Sequence, residues 1–390
     1  MGLRFTPTVN CAERLKFRRV KGAATSRRRG VAARLSPLVA AALLLSLAAA
    51  CGGHAGSPTA GRRPGGTGTA TTPSTLPTGP TTSTLPPGAT TSTLPPGVTK
   101  SPWQGSLFTS GQAAAWPLDP HSSQFAADIV SDYQAHYGSV GVNTMPVYVV
   151  PEGARKVPLS VAPGCNNFLA DTGPTVPLPK GLDLNGSPDN PLAVYQPSTG
   201  LDWELWRVSR DASGGLSACW AGRLDVYGSS GVFPSPYGLS ATGISYLATV
   251  ITQQDVASGH IDHAMALEIP RCNYYVYPAD RGDCGSDPGQ PAEGQWFRFA
   301  PGTTCPPQDC ATSFARMVFQ AGLSYGFVVT DQAGAVMLQA EQPSDWAAQG
   351  RSGTAPIRVS WARQTEYTVV SKLPWASLQA VDPPGGPSAP

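Results

Sequence analysis

From residue 101 to about 382 the apolar residues fall in short runs, most of them rich in β-branched and aromatic side chains and bounded by Gly, Pro and Asp/Asn. The pattern predicts strands near 147–150, 157–161, 192–195, 202–208, 217–227, 264–269, 274–277, 295–299, 327–330 and 336–340. Pro158 confines the second of these to an edge position, because proline donates no ladder hydrogen bond. Two stretches switch to helical spacing. One is 123–137, with Phe125, Ile129 and Tyr133 at four-residue steps; the other is 312–325, with Phe314, Val318 and Tyr325 on one side. Thr252 and Asp255 have the spacing of a capping box and mark a third, short helix. About ten strands with two or three peripheral helices predict a mainly β fold: a single β-sandwich, jelly-roll-like domain.

The residues before 101 do not continue this pattern. Residues 52–100 contain no aromatic side chain, are dominated by Thr, Pro, Gly and Ser, and carry the tandem nonapeptides TTSTLPPGA and TTSTLPPGV. So little apolar surface cannot offset the entropy of ordering, so this is expected to be an extended spacer. Upstream, the basic run Arg27-Arg28-Arg29 and the apolar stretch 37–50 precede Cys51. Basic, apolar and small-residue regions in that order describe an export signal. A Cys directly after Ala48-Ala49-Ala50 makes it similar to a bacterial lipoprotein signal, which implies acylation of Cys51. The expected organisation is therefore a signal at 1–50, a lipidated Cys51 with spacer to 100, a β-rich domain at 101–382 and a Pro/Gly tail at 383–390. The expected location is the outer face of the cell membrane, reaching into the wall.

Charge and cysteine content fit export. Residues 1–50 hold ten of the 27 Lys/Arg and one of the 25 acids, leaving residues 51–390 at a net charge of −7. An acidic mature chain argues against nucleic acid and leaves the lipid anchor as the only membrane contact. The 43 Gly and 40 Pro exclude a long helical bundle. Beyond Cys11 and Cys51, six cysteines remain: Cys165, Cys219, Cys272, Cys284, Cys305 and Cys310. An even set in an oxidising compartment reads as three disulfides, with 272–284 and 305–310 as the local pairs and 165–219 as the long-range one.

Familiar nucleophile, phosphate-loop, dinucleotide and zinc signatures are missing from the sequence, so no cofactor is expected. Asp183, Asp189 and Asn190 gather hard oxygen donors but without regular spacing, and no metal is assigned to them. Carboxylates, histidines and aromatic rings remain, an inventory suited to polysaccharide or cell-wall glycan. In Leu201-Asp202-Trp203-Glu204-Leu205-Trp206-Arg207, strand alternation puts Asp202, Glu204 and Trp206 on one face. There a ring would stack on a sugar beside an acid; the plainer alternative is a solvated acidic face. Arg223 and Asp225 share a face of the next strand, where Asp225 either approaches Glu204 or pairs with Arg223. In the segment 259–269, His263 lies with Met265, Leu267 and Ile269, while Asp262 lies with Ala264, Ala266 and Glu268. His263 is either a core histidine or a general base at a groove rim. The catalytic candidates are thus Glu204, His263 and Asp225, with Asp202, Trp206, Arg223 and Asp262 binding substrate.

Trp203-Glu204-Leu205-Trp206, Gly259-x-Ile261-Asp262-His263-Ala264, Tyr275-x-Tyr277-Pro278-Ala279, Phe297-Arg298-Phe299 and Tyr325-Gly326…Asp331 occur in that succession. In this the chain resembles a group of secreted actinobacterial proteins over most of 101–382. The resemblance implies a recurrent exported module and assigns no catalytic residue. Two functions follow from the residues: a surface-anchored hydrolase or lyase acting on polysaccharide, or a non-catalytic lipoprotein that binds glycan or a partner.

Overall fold

The computed structural model describes residues 102–178, 181–184 and 186–385. The signal, Cys51, the spacer and the end of the tail lie outside the described residues. In chain order the strands are β1 (Gly141–Met145), β2 (Val147–Val149), β3 (Lys156–Val161), β4 (Thr175–Pro177), β5 (Leu192–Gln196), β6 (Leu201–Trp206), β7 (Ser209–Arg210), β8 (Leu216–Ala218), β9 (Trp220–Asp225), β10 (Met265–Ile269), β11 (Asn273–Tyr275), β12 (Ala292–Glu293), β13 (Trp296–Phe299), β14 (Phe327–Gln332), β15 (Met337–Glu341) and β16 (Leu378–Val381). The helices are α1 (Ser122–His136), α2 (Leu169–Thr172), α3 (Gln253–Ser258), α4 (Ser313–Ser324), α5 (Ser344–Ala348) and α6 (Pro356–Ser360). None of the described helices is long and apolar enough to cross a membrane.

The domain is sheet-rich with few helices, as the sequence pattern predicts, but its strands are divided among several sheets. The largest has the order β1-β15-β10-β14-β13-β16; two four-stranded sheets run β2-β5-β6-β9 and β4-β3-β8-β7, and β11 pairs with β12. The pairs β1–β15, β10–β14, β2–β5 and β3–β8 are parallel. A jelly roll is built from antiparallel neighbours, whereas parallel neighbours need long crossovers, and the loops and helices between these strands supply them. Pro158 sits where β3 changes partner: β4 pairs with residues 156–158 and β8 only from Leu159 onward. The strand is central in its sheet, yet the proline meets only one neighbour.

One face of the six-stranded sheet packs on helices. Met265, Leu267 and Ile269 of β10, Phe297 and Phe299 of β13 and Phe327 and Val329 of β14 meet Phe125 and Ile129 of α1 and Phe314 and Val318 of α4 in one core. Both long helices match their predicted spans to within a residue. Thr312 caps α4 by accepting from the Ala315 N–H at 3.0 Å, and Thr252 with Asp255 forms the expected capping box on α3. The opposite face of β10 is also covered, which is why all five of its residues are buried. Its cover is the connection between β9 and α3: the Ala266 N–H donates to Thr249 O at 2.9 Å, and Thr242 Oγ1 to Thr330 O at 3.0 Å.

A buried acidic joint holds α3 and α5 to β15. Glu341 Oε2 accepts from the Gln253 N–H at 2.8 Å and Oε1 from Gln349 Nε2 at 3.2 Å. Asp345 Oδ2 accepts from the Val147 N–H at 2.7 Å and Oδ1 from Gln342 Nε2 at 2.6 Å. Burial still pushes Glu341 up to about 8 and Asp345 to about 7. The segment before α1 meets the last strand: Leu118 bridges Val381, and the Asp382 N–H donates to Pro117 O at 3.0 Å.

The six cysteines stand at disulfide distance in the pairs expected, 165–219, 272–284 and 305–310, with Cα separations of 4.8, 5.7 and 5.8 Å.

Candidate functional site

β6 lies between β5 and β9, and its alternation is the one read from sequence: Trp203 and Leu205 enter an apolar core, while Asp202 and Glu204 point the other way. Those two carboxylates meet the covering connection and are fully buried. Ser245 Oγ lies 3.1 Å from Asp202 Oδ2 and 2.8 Å from Glu204 Oε1, and the Leu247 N–H donates to Glu204 Oε1 at 3.1 Å. One hydroxyl carries one proton and cannot satisfy two carboxylates. Burial, and then the charge of Glu204, holds Asp202 well above the usual carboxylate range. Burial lifts Glu204 to about 7 against the hydrogen bonds from Ser245 and Leu247. Asp202 Oδ1 and Glu204 Oε2 have no hydrogen-bond partner among the described residues.

Tyr246 joins this pair to the main sheet. Gln339 Nε2 of β15 donates to its hydroxyl at 3.0 Å and also to Glu268 Oε1 on β10. Asn143 Nδ2 of β1 donates to Glu268 Oε2 at 3.3 Å. Glu268 keeps 7% of its surface exposed, and burial pushes it up to about 7. The phenol of Tyr246 is raised by burial and then by the charges of Asp331, Glu268 and Glu204, which belong to β14, β10 and β6.

A bulge after Leu267 sets Glu268 opposite Asp331 of β14. Asp331 is half-buried and accepts from the Ala241 N–H at 3.4 Å. Beside it, Glu293 Oε2 accepts from the N–H groups of Asp283 (2.8 Å) and Cys284 (3.3 Å). Burial and the charge of Asp283 raise Glu293 to about 8. Arg281 donates through Nη2 to Ser240 O at 2.9 Å, while its Nε and Nη1 find no hydrogen-bond partner among the described residues. Burial lowers it to about 10 although Asp280, Glu204, Asp331 and Glu293 all favour its charge. Exposure thus grows outward, from the enclosed Asp202 and Glu204 through Tyr246 and Glu268 to the half-buried Asp331 and the exposed Asp283. Alongside runs a row of exposed side chains, Tyr274, Tyr275, Val276 and Tyr277; Tyr275 is the register partner of Glu293.

The other predicted site residues lie elsewhere. In the β6–β9 ladder Glu204 faces Gly222, whereas Asp225 faces Leu201 and Arg223 faces Trp203. Asp225 and Arg223 are therefore exposed on the sheet face away from Glu204, and Asp225 accepts from the Tyr227 N–H at 2.9 Å. Trp206 is half-buried; its ring stands 5.1 Å from Trp220, and it packs on the cluster that contains Tyr246. His263 Nε2 meets Asp255 Oδ2 at 3.2 Å and its Nδ1 meets Ala264 O at 2.8 Å, so the ring is held by the α3 capping box. Asp262 is exposed and pairs with His260 at 2.8 Å, on a solvent-open groove that also includes Arg316, Gln320 and Tyr325 of the α4 region.

Sequence reasoning missed Ser245, Tyr246, Arg281, Glu293 and Gln339. A signal was available: residues 226–254 contain no Asp, Glu, Lys or Arg, which marks a Ser/Thr/Gly-rich connection fit for burial. Comparisons with known protein families, with curated proteins and with solved structures find no match for this chain.

Proposed function

We propose that the chain is an exported, lipid-anchored, carbohydrate-active enzyme, of glycoside hydrolase or lyase type, whose β-rich domain acts on a polysaccharide of the cell envelope. The observation that carries the reading is the placement of Glu268 opposite Asp331 across β10 and β14, linked through Gln339 to the Tyr246 hydroxyl, while Glu204 on β6 is bound by Leu247 next to Tyr246. Two of those carboxylates are poised near 7, where a group exchanges protons most usefully at neutral pH. Glu268, at the rim and steadied by Gln339 and Asn143, is the acid that protonates the departing sugar oxygen. Glu204, enclosed with Asp202 around Ser245, acts through Tyr246 and is a positioning residue. The row of exposed tyrosines beside the rim supplies faces on which sugar rings stack. The export signal expected at 1–50, ahead of Cys51, and three cysteine pairs at disulfide distance support an oxidising location.

The test is incubation of the purified protein with a panel of bacterial, plant and fungal wall polysaccharides, with mass spectrometry of soluble products. Fragments that gain water identify a hydrolase and fragments without it a lyase. Glu268→Gln should abolish their release. Retention on an insoluble glycan without fragments, undiminished in Glu268→Gln, would overturn the catalytic reading. It would favour a binding module centred on the groove at Asp262.

A further inference from the structure

We propose that Asp283, Glu293 and Asp331 form a binding site for one divalent cation, with calcium the best fit. One carboxylate oxygen from each lies within 4.8 Å of the others. Glu293 supplies an observation independent of that clustering. It is fully buried; its Oε2 is anchored by the N–H groups of Asp283 and Cys284, and its Oε1 has no hydrogen-bond partner among the described residues. Leaving a charge-bearing oxygen buried and unpaired is costly, and three carboxylates this close either share protons or share a cation. The guanidinium of Arg281 does not resolve the crowding, because it is hydrogen-bonded to Ser240 O and makes no ion pair with the three among the described residues.

The surroundings are built to hold the arrangement. Gly282 lies so close to Glu293 Oε2 that a Cβ there would overlap it. Cys284, next to Asp283, pairs with Cys272 and so ties the loop to the start of β11. Asp283 is exposed and gives an ion a way in, while water and backbone carbonyls can complete the six to eight oxygens that calcium takes from flexible loops. The proposal stands apart from the carbohydrate reading: an ion here would bind whether or not any polymer is cleaved.

Terbium(III), a luminescent probe of calcium sites, tests it directly, since Tyr275, the register partner of Glu293 and a neighbour of Gly282, stands beside the site to sensitise its emission. With the full chain purified under oxidising conditions, tyrosine excitation should give saturable emission at one ion per protein, displaced by calcium and poorly by magnesium. Asp283→Asn changes only an exposed side chain and should weaken terbium at least tenfold with unchanged circular dichroism; Glu293→Gln should do the same or more. Should Glu293→Gln fail to fold, Asp283→Asn alone decides the matter. No saturable emission up to millimolar terbium would overturn the proposal and leave proton sharing as the account of the cluster. So would emission that is equally tight in Asp283→Asn.

Discussion

Glu341 should make the domain lose stability as pH rises, and replacing it with glutamine should remove that share of the loss. In the folded chain its carboxyl is enclosed between β15, α3 and Gln349 and titrates at about 8 instead of 4.5. A group whose folded value is raised favours the folded state fully below its unfolded value. It loses that contribution as pH climbs toward the folded value, because the unfolded chain gives up its proton first. Over that window the folded chain holds one proton more than the unfolded chain, which costs about 1.36 kcal/mol for each step of one in pH. Between pH 5 and 7.5 the loss therefore amounts to about 3 kcal/mol. For a domain of this size that is a fall of very roughly 6 °C in Tm. Glutamine keeps an acceptor for the Gln253 N–H but never ionises, so Glu341→Gln should flatten the Tm-versus-pH curve by about this amount. It should also be the more stable variant near pH 7.5. Scanning calorimetry at half-unit steps from pH 5 to 7.5, at constant ionic strength, measures both curves. Parallel curves would refute the reasoning, as would a wild-type Tm that rises with pH.

Three further outcomes follow from the same structure. If Glu268 is the proton donor, product release should decline as pH rises through about 7, where its carboxyl ionises; a flat profile to pH 8.5 would exclude it. Gly294 has φ +87°, and a Cβ there would run into Val276 O. Gly294→Ala should therefore cost more than the ~3 kcal/mol that bounds most substitutions, as measured by denaturant melts. Thr252→Ala deletes one half of the capping box on α3 and should cost about 1 kcal/mol; no change in Tm would mean that packing alone holds the helix.

The parts of this fold that were legible in sequence are those specified locally. Phe125, Ile129 and Tyr133 announce α1, Thr252 and Asp255 announce α3, and the alternation in 201–206 places Asp202 and Glu204 together. The site was legible only to that depth, because its other half is set by register and by long-range burial. A shift of one residue in the β6–β9 ladder would carry Asp225 to the face of Glu204, and nothing near either strand declares which register is formed. Ser245 and Tyr246 sit in a connection whose Gly, Ser and Thr suggest a surface loop. Only the absence of charge over 226–254 tells otherwise, since sequence spacing does not show that a sheet lies on either side. His263 turns on the same point: its partner Asp255 is eight residues away, across a capping box whose geometry gives the ring a structural task.

The six-stranded sheet has β1 at one edge and β16 at the other, the first and last of the described strands, and the segment before α1 is zipped to β16. Such a wiring diagram works as a completeness check. Nearly the entire domain must exist before either margin of the sheet can be sealed, so a nascent or shortened chain has no native-like stopping point. High sequence separation between partners also slows assembly. Once locked, residues 117–119 lie side by side with residues 380–382. A circular permutant joining residue 385 to residue 102 through a flexible Gly/Ser linker, and opened at the exposed turn 212–214, should therefore reach the same fold by a different route.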